Sequence, residues 1–114
     1  MRPIAQTTLK PVDSEAISRA AALLRSRFPI SQVVLFGSKA RGDDDAESDI
    51  DLLVLTTCKL DWKQRQAIIN CLYGLELELG VVVSVLIVSE EDWHEGVYQV
   101  LPIREEIERD GVAA

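Results

Sequence analysis

Residues 33–55 read 33-VVLFGSKARGDDDAESDIDLLVL-55. An apolar run stops at Gly37-Ser38, a charged segment follows, and a second apolar run opens with Asp49 and Asp51 one residue apart. Short apolar runs bounded by Gly, Ser and charged residues read as buried strands, here Gln32–Phe36 and Asp49–Leu55. Side chains alternate along a strand, so Asp49 and Asp51 share one face with their Cα atoms about 7 Å apart. Ile50, Leu52 and Val54 then point to the core. Two like charges held this close raise each other's pKa and oppose folding. A divalent cation between them reverses that sign, and hard cations such as Mg²⁺ share carboxylate oxygens with substrate phosphates. Alone, a D-x-D is most simply a solvated strand start, and a Gly-Ser after a strand is a turn with Ser as helix cap. Together they suit another task. The turn offers backbone N–H groups to phosphates, and the carboxylates can hold a metal that bridges those phosphates. That combination serves metal-assisted nucleotidyl transfer. No G-x-x-x-x-G-K-[ST] is present, so the turn is not a P-loop.

Outward from this stretch the chain alternates helices with strands. A helix is expected from about Ser14 to Phe28, capped by Asp13 or Ser14, with Ile17, Ala20, Ala21, Leu24 and Phe28 at helical spacing and Pro29 as its stop. Asp61 caps a long helix whose face is Ile68, Leu72, Leu75 and Leu79, and Gly80 closes it in a left-handed conformation. Val81–Val88 is rich in β-branched residues and reads as a third strand. Ser89 with Asp92 forms a capping-box pattern, and Pro102–Asp110 is a last helix with Gly111 past its end. The class is α/β or α+β, a small sheet covered by helices. The connection between the first two strands is short, and spacing alone leaves their relative direction open.

The chain has 114 residues, enough for one domain over 1–114 and too few for two. Apolar residues make up 47% of it, which supports a real core. The net charge of −7 argues against general nucleic-acid binding and against anionic membranes, since both reward basic surfaces. The longest apolar run, 79-LGVVVSVLIV-88, is too short to span a bilayer. Cys58 and Cys71 fit no metal spacing and read as reduced thiols of a cytoplasmic protein. The N-terminus lacks the apolar stretch of a signal peptide.

The spacing G-S-(ten residues)-D-x-D, with G-S-K-A-R-G and S-D-I-D-L-L-V inside it, resembles the signature of the minimal nucleotidyltransferases, a branch of the DNA polymerase beta-like superfamily. The similarity runs over most of the chain, including the ending 102-PIREEIERDGV-112. It implies the palm-like nucleotidyltransferase fold with a mixed sheet. It implies that Gly37 and Ser38 contact a nucleoside triphosphate, ATP in this case, and that Asp49 and Asp51 hold Mg²⁺. Arg41 would contact phosphate or brace the loop. Small members of the family pair with a HEPN-domain protein as the antitoxin of a toxin–antitoxin system, and some transfer AMP from ATP to a tyrosine of that partner.

One part of the family pattern is missing. Active members carry a third carboxylate on the third strand, whereas the equivalent positions here are Val82 and Ser84. Glu76 or Glu78 could reach in from the helix end, although a solvated helix face suits them better. Two function classes follow: an AMP-transferring enzyme, or a degenerate domain that binds a partner or a nucleotide without chemistry. A homodimer through the apolar third strand is a further expectation. Asp43, Asp44, Asp45 and Glu47 read as a solvated acidic connector. Trp62, Trp93, Tyr73 and Tyr98 are expected to pack, His94 to lie on the surface, and Arg19, Arg25 and Arg27 to face solvent.

Overall fold

The computed structural model describes residues 2–3, 8–43 and 48–114. In chain order the elements are β1 (Arg2–Pro3), α1 (Pro11–Arg27), β2 (Ile30–Phe36), α2 (Gly37–Arg41), β3 (Ile50–Thr56), α3 (Trp62–Leu79), β4 (Val83–Ser89), α4 (Glu90–Glu95), a 3-10 turn (Val97–Val100), α5 (Pro102–Asp110) and β5 (Val112–Ala113). The strands form one mixed sheet in the order β1-β5-β2-β3-β4. β2 runs antiparallel to β3, and β3 runs parallel to β4 through the α3 crossover. The direction that spacing left open is therefore antiparallel for the first strand pair.

Helices cover both faces, which is why β3 is buried without interruption from Leu52 to Thr56 rather than alternating. On one face α1 supplies Ile17, Ala20 and Leu24, and α3 supplies Ile68, Leu72 and Leu75, against Val33, Leu35, Leu52 and Val54. On the other, Trp93 of α4 and Ile107 of α5 pack on Val34, Leu53, Leu55 and Val88. The odd-numbered residues of β3 face α4 and α5, so Asp51 points to that side.

Helix ends follow local chemistry. Asp61 accepts the Gln64 N–H at 2.8 Å, and the Gln64 side chain accepts the Asp61 N–H at 3.0 Å, a complete capping box. Gly80 adopts φ +68 at the C-terminus of α3, as its sequence position requires. Ser89 accepts the Asp92 N–H at the start of α4. α1 departs from expectation. It starts at Pro11, its N-cap is Lys10, and no side chain caps it. Asp13 is drawn instead into the interior, where the Lys39 ammonium donates to it at 2.8 Å. The two side chains are 8% and 3% exposed. Residues 112–113, which carry no strand pattern, form a two-residue strand between β1 and β2.

Trp93 packs as expected, buried with its ring centroid 5.6 Å from that of Tyr98. Trp62 and Tyr73 do not: both stand exposed on the outer side of α3. His94 is on the surface, hydrogen-bonded to Glu90 one helical turn back. Arg19, Arg25 and Arg27 are exposed as expected, and Cys58 and Cys71 are free. No helix among the described residues is long and apolar enough to cross a membrane.

Candidate functional site

β2 ends at Phe36, whose register partner on β3 is Asp51. The chain turns at Gly37 with φ +76 and enters the five residues of α2. Gly37 is required twice over. An L side chain is strained at that φ, and a Cβ built there would lie 2.3 Å from the Asp51 carboxylate oxygen Oδ2. The carboxylate thus sits directly against the backbone of the Gly-Ser turn. Ser38 follows at the start of α2, where its carbonyl accepts the N–H groups of Gly42 and Asp43 and closes the short helix. Arg41, at the far end of α2, is exposed, and its Nε donates to Asp43 at 3.2 Å.

Asp49 lies one residue before β3 and Asp51 lies second within it. Their neighbour on β4 is Ser84, the register partner of Asp51, and its hydroxyl donates to Asp49 Oδ2 at 3.2 Å. Gly37, Ser38, Asp49, Asp51 and Ser84 therefore converge at the end of β2 and the beginnings of β3 and β4. Of the two third-strand positions, Ser84 is the one beside the carboxylates. Val82 lies before β4, exposed, its carbonyl accepting the Ile50 N–H. Glu76 and Glu78 do not reach the site. Glu76 accepts the Val83 N–H at 3.3 Å, and Glu78 pairs with Arg19. Of the acidic connector, Asp43 pairs with Arg41, while Asp44, Asp45 and Glu47 lie outside the described residues.

Two carboxylates share this corner of the sheet. Burial first, and then the charge of Asp49, push the Asp51 carboxyl above the usual carboxylate range, with the Arg41 guanidinium pulling the other way. Among the described residues no cluster of three or more His, Cys, Asp or Glu side chains could hold a metal. Among the described residues the donors at this position are two carboxylates and one hydroxyl. Oxygen donors of this kind suit a hard cation that completes its coordination with water and phosphate.

One residue with a structural task here was missed from sequence: Lys39, second after the Gly37 turn. Its buried ion pair with Asp13 ties α2, and with it the Gly-Ser turn, to α1. A signal was present. Asp13 stands four residues before Ile17 on the stripe that continues through Ala20, Ala21 and Leu24, so it faces inward with them.

Residues 17–112 match the family model described as "Nucleotidyltransferase domain". A protein of Methanocaldococcus jannaschii named "Putative protein adenylyltransferase MJ0604" is 36% identical over 81 residues, covering 69% of this chain and 76% of the relative. A solved "putative minimal nucleotidyltransferase" superposes with a TM-score of 0.59 at 29% identity, over 87% of this chain and 92% of the other. A complex of tri-AMPylated Shewanella oneidensis HEPN toxin with MNT antitoxin contains a chain of the same fold. Its TM-score is 0.55 at 19% identity, over 89% of this chain and 70% of that one.

Proposed function

Because the chain belongs to the nucleotidyltransferase family, in its minimal branch, we propose that it transfers AMP from ATP to a hydroxyl of a protein partner, as the antitoxin of a HEPN-type toxin–antitoxin pair. The observation that carries this reading is the seating of Asp51 against Gly37, which brings together the elements proposed to hold metal and phosphate. The name of the Methanocaldococcus relative and the AMPylated toxin of the Shewanella complex support the acceptor class. The acting unit is the single domain 1–114.

In this reading Asp49 and Asp51 would hold Mg²⁺, which would supply charge neutralisation for the triphosphate and for the departing pyrophosphate. The Gly37-Ser38 turn orients the phosphate chain, and Arg41 offsets phosphate charge. The acceptor hydroxyl oxygen bonds to the α-phosphorus, the bond from that phosphorus to the bridging oxygen breaks, and pyrophosphate leaves. The hydroxyl proton passes to solvent, because Ser84 is a poor base at neutral pH. Ser84 instead fixes the rotamer of Asp49 through its hydrogen bond.

The same serine favours a second reading, in which the domain binds nucleotide and partner without turnover. Incubation with α-labelled ATP, Mg²⁺ and the product of the adjacent gene separates the two. Label on the partner that disappears with Asp51→Asn, by at least about a hundredfold given the usual weight of such groups, supports transfer. A stable complex that never takes label supports the binding reading, and label that persists in Asp51→Asn removes the assigned site.

A further inference from the structure

We infer that β4 and the outer side of α3 form an interface with a second copy of this chain, built about a single two-fold axis. This inference does not depend on the chemistry proposed above.

Among the described residues β4 pairs with β3 alone and is the last strand of the sheet. Strands at a sheet edge are normally guarded by charge, proline or a bulge. β4 reads VSVLIVS and has none of these. The Ile50 N–H reaches the Val82 carbonyl, so even-numbered residues of this strand direct their backbone groups inward to β3 and Val83, Val85 and Ile87 direct theirs outward. Glu76 accepts the Val83 N–H. Beyond that contact the edge is a template for another strand. Val83 and Val85, on the side chains' α3 face, are also only half-buried, because α3 does not extend over the edge.

α3 carries two apolar stripes. Ile68, Leu72 and Leu75 face the core. Trp62, Ile69, Tyr73 and Leu77 form the second, and they are 73%, 43%, 58% and 69% exposed. At 100° per residue this stripe lies on the side of α3 away from α1, since Cys71 and Glu78, which meet Arg27 and Arg19 of α1, fall on the opposite flank. It therefore borders the open edge of β4.

The occupant is identified by charge and by level. Behind the Asp61 cap the first turn of α3 carries Lys63 and Arg65, and its last turn carries Glu76 on the flank that borders β4, while Glu78 lies on the α1 flank beside Arg19. Both placements oppose the helix dipole. A second α3 running antiparallel sets Glu76 of each helix beside Lys63 and Arg65 of the other and offsets both penalties. A two-fold axis normal to the sheet makes β4 antiparallel to its copy and α3 antiparallel to its copy together. The levels agree. From the Glu76–Val83 contact, the middle of the stripe at Ile69–Asn70 is about 10 Å along the helix at about 1.5 Å per residue. Leu86 is about 10 Å along the strand at about 3.3 Å per residue. One axis thus serves both layers. Asp49, Asp51 and Ser84 point to the opposite face of the sheet and stay accessible.

Sedimentation velocity of the full chain at about 50 μM, where a self-association of this kind is populated, is expected to give twice the chain mass. Tyr73→Glu and Leu77→Lys, both at exposed positions, are each expected to weaken association at least about tenfold, as for interface anchors, with circular dichroism unchanged. In a Cys58→Ser, Cys71→Ala background, the thiol introduced by Ile69→Cys should form an interchain disulfide on oxidation. A wild-type monomer at that concentration overturns the inference and leaves this surface to a different protein. A dimer indifferent to both exposed substitutions, or one in which the Ile69→Cys thiols never join, overturns it as well.

Discussion

Asp51 shows how a side chain can be placed against its own interest. Its carboxyl is held above the ordinary range by burial and by Asp49, with Arg41 opposing. An acid whose folded pKa lies above its unfolded value binds its proton more tightly in the folded state. Its stabilising contribution is complete below the unfolded value of about 3.9 and is lost as pH rises through the folded value. At neutral pH the ionised group therefore works against folding of the metal-free chain. Asp51→Asn removes the charge and keeps the shape. In the presence of a chelator it is expected to melt above wild type near neutral pH, with the gap closing as the pH falls toward about 4. Thermal scans across that range check this, and a variant that melts at or below wild type near neutral pH contradicts it. The placement itself was readable in the sequence, because alternation along a strand needs only residues 49–54. The seating against Gly37 was not, since it depends on the antiparallel register of Phe36 with Asp51.

At the scale of elements, α1 and α2 are joined by Asp13 and Lys39, 2.8 Å apart and nearly without solvent. A lysine this buried is rare unless paired, so the pair was invisible to a reading of Asp13 as a cap, although the apolar stripe of α1 contained it. Removing one partner leaves an uncompensated buried charge. Lys39→Met is expected to destabilise the protein by about 3–5 kcal/mol, while the double change Asp13→Leu, Lys39→Met regains most of that loss. Urea unfolding of the three chains measures both steps, and additive losses in the double variant would show that the two residues act separately. Other elements were legible in proportion to how local their causes are. The capping box at Asp61 and the close at Gly80 depend on a few neighbouring residues and were found. α3 carries apolar residues on two stripes, so periodicity could not tell that Trp62 and Tyr73 face outward. β1 and β5, two residues each, have no pattern to read; β5 pairs with the edge that β2 offers at Val34 and Leu35, and β1 pairs in turn with β5.

For the whole molecule the central difficulty is charge. A chain of net charge −7 is proposed to receive a triphosphate, and Lys39, the basic residue closest to the Gly37 turn in sequence, is already spent on Asp13. Arg41 alone among the proposed site residues is cationic. Binding of nucleotide should therefore depend on the divalent cation far more than on the protein's own cations. This yields an expectation separate from turnover, and it holds for the enzymatic and the binding readings alike. A ligand that binds only the folded state stabilises it by about 2.7 kcal/mol at a hundred times its Kd, which for a domain near this size raises Tm by roughly 10 °C or more. With Mg²⁺ and a non-hydrolysable ATP analogue together, at one fixed chain concentration so that self-association does not vary, wild type is expected to show a rise of that order. The analogue with chelator should give little. Asp49→Asn should lose most of the rise, because it removes one of the two carboxylates proposed to hold the cation while leaving the Gly37 turn intact. A shift of equal size with chelator would mean that the turn and Arg41 hold the nucleotide unaided, and that the paired aspartates serve some other purpose.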